Sequence, residues 1–183
     1  MDDAVPLRYH VLDCFERAAQ VTDPSVRRSL LRFVIVGGGA TGVEYAGALA
    51  ELIYGPLLKD FGGIARDEVD IRLLEGGDRL LAGLPPRLQD YARVRLERRG
   101  VQVLTGSEVV QVGPDSVVSR HTDDATRRDA STATHTVVWA AGVQGDPAVG
   151  CWGLPVGPAR RVPVERLWGR SFTGFAAWTL WLV

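Results

Sequence analysis

A strand that runs straight into a helix through spaced glycines is the feature that most restricts this chain. Leu31 to Val36 is a short apolar, β-branched run ended by glycine, which predicts a buried parallel strand, and Thr41 to Ile53 carries apolar residues at helical spacing. Between them Gly37, Gly39 and Gly42 fall at the G-x-G-x-x-G spacing. The first such glycine permits a tight turn, the second lets a pyrophosphate approach the backbone, and the third lets helix and strand pack closely. Free N–H groups and the positive end of the helix dipole then make an anion site. The segment Gly37-Gly38-Gly39-Ala40-Thr41-Gly42 is therefore expected to receive a phosphate, against the alternative of a glycine-rich turn without a ligand.

The flanks narrow the nucleotide. A P-loop needs Lys and then Ser or Thr after Gly42, but Val43 and Glu44 stand there and Lys59 is the only lysine, which disfavours ATP or GTP hydrolysis by that route. Dinucleotide sites want an acid at the end of the second strand for the adenosine ribose, and Val69 to Glu75 supplies one in Glu75. Glu75 lies further downstream than the usual distance of about 20 residues, which an insertion over Tyr54 to Glu68 accounts for. The alternative is a solvated loop carboxylate. A carboxylate there repels a 2′-phosphate and favours NAD over NADP, while nearby Arg79 keeps NADP open. Glu44, one turn into the helix, is stabilised by the helix N-terminus in any case.

With 183 residues, 46% hydrophobic and 23% charged, the chain can bury one ordinary core with appendages. Its net charge of −1 argues against broad attraction to nucleic acid. Cys14 and Cys151 form no C-x-x-C pair and read as ordinary reduced cysteines. The acidic start Met1-Asp2-Asp3 is unlike a signal peptide, so a cytoplasmic location is expected. His10, His121 and His135 share no spacing that defines a catalytic triad.

Along the chain, Val5 to Ala19 reads as an amphipathic helix with Leu7, Val11, Leu12, Phe15 and Ala18 or Ala19 on one side. Thr22-Asp23-Pro24 breaks it, and Ser25 to Ser29 is expected as a short turn. Gly76 to Pro86 reads as a loop whose Leu80, Leu81 and Leu84 pack back, and Arg87 to Arg99 as a helix burying Leu88, Tyr91, Ala92 and Leu96. Val101 to Leu104 completes β-α-β-α-β, half of a doubly wound dinucleotide fold. Val109 to Val112 and Ser116 to Arg120 suggest a small antiparallel unit around Gly113-Pro114-Asp115. Asp123 to Ala133 reads as a hairpin tip or mobile loop, and Thr136 to Trp139 as a buried strand ending in Ala140-Ala141-Gly142, small residues where such sheets bind ligands. Gly145 to Pro163 is irregular.

Taken in order, Gly37 to Gly47, Leu73-Leu74-Glu75, Gly100-Val101-Gln102-Val103 and Val137 to Val143 resemble the type II, non-proton-pumping NADH:quinone oxidoreductases. Leu7-Arg8 and Phe15-Glu16 resemble the helix leading into their NADH domain, so the likeness runs from Asp2 to Glu165. The resemblance implies an FAD domain interrupted by an NADH domain, with hydride passing from nicotinamide to flavin and electrons on to a quinone. It places the NADH pyrophosphate at Gly37 to Gly42, the adenosine ribose at Glu75, the nicotinamide end at Ala141 and Gly142, and Glu44 near the nicotinamide and flavin junction. Ala40 stands where proline is common in that family.

The departures are larger. No second G-x-G-x-x-G precedes Gly37, and nothing after Glu165 resembles the Gly-Asp segment that completes the FAD site; instead Ser171 to Val183 resembles the start of the family's membrane-associating region. A truncated or internally deleted member, or a fragment, is expected, with a join near Glu165 to Arg170. The tail is too short for a membrane-spanning helix of about 20 residues, although Trp178 and Trp181 at helical spacing could anchor it at an interface, core packing and an exposed terminus being the alternatives. The expectation is an α/β, Rossmann-like domain with a parallel sheet, a small antiparallel β unit and an incomplete FAD domain. Residues 1–30 form the leading helix and connection, 31–150 the NAD(H)-binding domain and 151–183 an irregular segment and apolar tail. Rival readings are a free-standing nucleotide-binding module whose partner docks on the helix Val5 to Ala19, and the NADH domain of an NADH oxidase or ferredoxin reductase.

Overall fold

The computed structural model describes residues 4–122, 129–142, 144–157 and 162. The chain divides into two units, Met1–Ala141 and Gly142–Val183. In the first, helix α1 (Ala4–Gln20) and helix α2 (Pro24–Leu30) precede β1 (Arg32–Val36) and α3 (Ala40–Leu52). A π-helical turn (Ile53–Leu57), the one-turn helix α4 (Leu58–Asp60) and a 3-10 turn (Arg66–Glu68) occupy the expected insertion. Then come β2 (Asp70–Leu74), α5 (Pro86–Arg98), β3 (Val101–Leu104), β4 (Ser107–Val112), β5 (Ser116–His121), β6 (Asp129–Ala133) and β7 (Thr136–Trp139). The segment expected as a turn at Ser25 to Ser29 is helical because the Asp23 carboxylate caps it, accepting from Ser25 N–H at 2.8 Å, and Pro24 fits a first helical turn.

The four-stranded sheet has the order β3-β2-β1-β7, all neighbours parallel, and β4-β5-β6 form a separate antiparallel sheet. Alternation along β1 assigns its two faces. Phe33 and Ile35 join Ile71, Leu73, Val101 and Val103 in a core closed by Val11, Cys14, Phe15 and Ala18 of α1 and Ala46, Leu49 and Ala50 of α3. Val34 and Val36 turn the other way, onto Leu74 and Val117, so the antiparallel sheet covers that face. The apolar face of helix α1 is therefore spent on this unit's own core, so it is not the exposed face that the rival binding-module reading gave to a partner. Burial pushes the Cys14 thiol up, as for an inert reduced cysteine.

Four further expectations need correction. Asp129–Ala133, read as part of a loop, is strand β6, paired to β5 and pinned by Arg120 Nε to Asp129 Oδ1 at 2.8 Å; residues 123–128 lie outside the described residues. In α5 the buried residues are Gln89 and Leu96, whereas Leu88 and Tyr91 are 50% and 62% exposed, because the Gln89 amide is drawn in to loop carbonyls. Leu80 and Leu81 pack back as expected, but Leu84 does not. Trp139 ends β7 at 58% exposure, since β7 is an edge strand.

The start of the sheet carries an electrostatic knot. Asp70 Oδ2 accepts from Arg32 Nε at 2.7 Å and Arg72 Nη2 lies 2.8 Å from the same oxygen. Burial alone would raise this carboxyl, but hydrogen bonds from Arg72 and Arg32 outweigh it and hold it below the ordinary value. A carboxyl depressed by folding contributes stability that is complete above its unfolded pKa of about 4 and is lost as the pH falls through the folded value. Asp70→Asn is expected to cost about 2 kcal/mol at neutral pH and to flatten the stability curve below about pH 4. Urea melts of the two proteins between pH 2 and 7 check both effects.

The second unit contributes a 3-10 turn, Pro147–Cys151, capped by Asp146 Oδ1 accepting from Ala148 N–H at 2.7 Å. No helix among the described residues is long and apolar enough to cross a membrane, and the tail at 171–183 lies outside those residues.

Candidate functional site

The glycine turn sits at the carboxyl end of β1, between the ends of β2 and β7. Gly37 N–H donates to Leu74 C=O and Ala140 N–H donates to Val36 C=O, both at 2.8 Å, so the turn begins tied to both neighbouring strands. Gly37 has φ +111°, and a Cβ on it would stand 2.8 Å from Ala141 N. That conformation and that space suit glycine alone. At Gly42 a Cβ would lie 1.9 Å from Gly37 C=O, which is the close helix-to-turn packing expected of a third glycine.

Gly39 is different. A Cβ there would meet no atom within 4 Å, and no side chain caps α3, whose N-cap is Gly39. The exposed Ala40 and Thr41 follow in the first helical turn. Open space, uncapped first-turn amides and a helix N-terminus thus coincide at one spot.

Glu75 reaches this turn from the end of β2. Its Oε2 accepts from Gly38 N–H at 2.5 Å and its Oε1 from Gly77 N–H at 2.7 Å. Each oxygen keeps a further acceptor direction. Sequence reasoning placed Glu75 at a ribose and missed this bridging of two backbone amides, which depends on tertiary placement. Arg79 lies 3.4 Å from Asp90, an exposed pair. Glu44 is exposed and borders a shallow groove shared with Gly47, Tyr91 and Arg95. Ala141 borders the turn through Gly37, while Gly142 opens the second unit with its own left-handed backbone, φ +74°.

A parallel sheet whose first strand ends in this glycine turn, with an antiparallel meander on one face, defines a Rossmann-like dinucleotide-binding domain. The family model for pyridine nucleotide-disulphide oxidoreductases matches residues 4–168, and the chain belongs to that family. Among similar proteins, a type II NADH:quinone oxidoreductase (NdhA) of Mycobacterium tuberculosis is 36% identical over 170 residues, covering 90% of this chain and 36% of that protein. A mitochondrial external alternative NAD(P)H-ubiquinone oxidoreductase, B4, of Arabidopsis thaliana is 32% identical over 162 residues, covering 87% and 27%. The structure of NDH2 from Plasmodium falciparum in complex with NADH superposes with a TM-score of 0.74 at 23% identity over 81% of this chain and 30% of that one, a likeness of fold. The chain thus spans about a third of the length of these relatives.

Proposed function

We propose that this chain is the NAD(H)-binding part of a type II NADH:quinone oxidoreductase. The observation that carries the reading is the open face at Gly39, set between two glycines that tolerate no side chain and backed by the uncapped N-terminus of α3. The diphosphate lies across Gly37 to Gly42, where backbone N–H groups and the helix dipole offset its charge. Glu75 accepts from the adenosine ribose hydroxyls while still holding Gly38 and Gly77. The nicotinamide half runs toward Ala141, and the resemblance extends it to Gly142, with Glu44 at the junction with the flavin.

Bound NADH supplies the hydride; the residues of this chain bind and orient it. The flavin and the quinone are assigned to the part of the full-length relatives that this chain does not span, so hydride transfer belongs to the complete protein and binding to the chain. Within it, residues 31–150 carry the nucleotide, 1–30 lead in from the flavin-domain side, and the apolar tail of 151–183 makes a peripheral membrane contact at 171–183. The complete protein works at the cytoplasmic face of a membrane. The names of the relatives, one reading NADH and one NAD(P)H, leave the second coenzyme to the Glu75 carboxylate, which favours NADH.

Calorimetric titration of the chain with NADH, NADPH and FAD tests the reading. NADH is expected to bind, NADPH more weakly, and FAD not to be retained; absence of NADH binding, or a yellow protein carrying stoichiometric flavin, overturns it. Glu75→Ala removes the ribose acceptor and releases Gly38 and Gly77. It is expected to weaken NADH binding by about 10- to 100-fold, the worth of one or two charge-assisted hydrogen bonds, and to narrow the preference over NADPH in the same titrations.

A further inference from the structure

Gly38 is held from three directions. Its N–H goes to Glu75, its C=O accepts from Leu81 N–H at 2.8 Å, and a Cβ on it would stand 2.6 Å from Leu80 Cδ2. The next residue, Gly39, is free on its open side. Leu80 and Leu81 therefore supply one of the restraints on the residue that precedes the open edge of the glycine turn.

Leu81 is itself in an uncommon state. Among the described residues it is the one non-glycine with positive φ, at +52°. A bulky side chain avoids that region unless its surroundings impose it. Gln89 on α5, 7% exposed, reaches this segment. Its Nε2 donates to Leu84 C=O at 2.7 Å and to Leu81 C=O at 3.3 Å, and Leu84 N–H donates to Leu81 C=O at 2.8 Å. Gln89 Oε1 is buried without a partner among the described residues. An apolar residue of similar volume would fill this place without desolvating an amide oxygen, so packing alone does not account for glutamine.

We propose that Gln89 is a positioning residue for NAD(H). By pinning the carbonyls of Leu81 and Leu84 it keeps Leu81 left-handed, and Leu81 N–H then sets Gly38 and the phosphate-facing edge of the turn. Gln89 needs no contact with the coenzyme to do this. The inference rests on the NAD(H) reading above and names a residue on which the affinity of that site depends.

The test compares the full chain with Gln89→Met, Leu81→Gly and the double variant by calorimetry with NADH and with ADP, alongside thermal melts. Gln89→Met is expected to weaken both ligands about tenfold, the worth of one buried hydrogen bond, because both carry the diphosphate. Leu81→Gly in the Gln89→Met background is expected to recover most of that loss, since glycine takes positive φ without steric cost. A merely structural Gln89 would give the opposite result, the second truncation adding to the damage. Unchanged affinity in Gln89→Met, or a double variant no tighter than the single one, overturns the proposal while leaving the NAD(H) reading intact. An unaltered chain that binds neither ligand sinks both. Should Gln89→Met not fold, Gln89→Asn, which keeps the amide but shortens its reach, takes its place under the same criteria.

Discussion

Gly39→Val is expected to leave the fold standing and to remove NADH binding, with an affinity loss of at least about 100-fold, or roughly 3 kcal/mol. The backbone at Gly39 is extended, φ −73° and ψ −178°, a conformation open to valine, and a Cβ there meets nothing within 4 Å. The fold therefore loses only the difference between glycine and valine as an N-cap, about 1 kcal/mol. The branched side chain instead fills the space in which a diphosphate would approach the amides of α3, and a ligand pushed outward loses those hydrogen bonds together. Calorimetry with NADH and a thermal melt of the same sample separate the two effects. Wild-type affinity with a native melt would take the diphosphate away from this turn.

The strand, turn and helix at residues 32–52 were legible because three signals agree there: a β-branched run, glycines at a fixed spacing and a change to helical period. Agreement of that kind fails at β6. Asp129 to Ala133 is short, polar and almost wholly exposed, so its pairing with β5 leaves no apolar alternation to read. In α5 Leu96 is buried as its spacing implied, but Leu88 and Tyr91 are exposed and the inward place next to Leu88 is taken by Gln89, whose amide donates to the carbonyls of Leu81 and Leu84. The same contact explains why the candidate site was only half legible. Gly37, Gly39, Gly42 and Glu75 stand out by type and spacing, whereas the strap of Leu80, Leu81 and Gln89 that seats Gly38 is made of residues with no chemical signature and a contact that exists only after folding.

Gly42→Ala should divide the two effects the other way. One methyl group would be placed 1.9 Å from Gly37 C=O and 3.1 Å from Gly37 C, well inside contact distance and against backbone. Gly37 cannot yield, because it is itself locked at φ +111° against Ala141 and donates to Leu74 C=O. Helix α3 would have to lift from the turn, carrying Ala46, Leu49 and Ala50 partly out of the core they share with Phe33 and Ile35. Overpacking of this kind costs about 1–3 kcal/mol where side chains can adjust, and here backbone meets backbone, so a loss of about 3 kcal/mol or more is expected against a total stability of about 5–15 kcal/mol. Urea denaturation measures it. The two variants lie three positions apart on one motif, yet the one should lose its ligand and keep its melt while the other loses its melt first. That split is the physical content of the motif, since the second glycine leaves room for a guest and the third leaves room for the protein itself. A Gly42→Ala protein as stable as the unaltered chain would show that α3 does not sit on the Gly37 turn as closely as the 1.9 Å between an added methyl and Gly37 C=O requires.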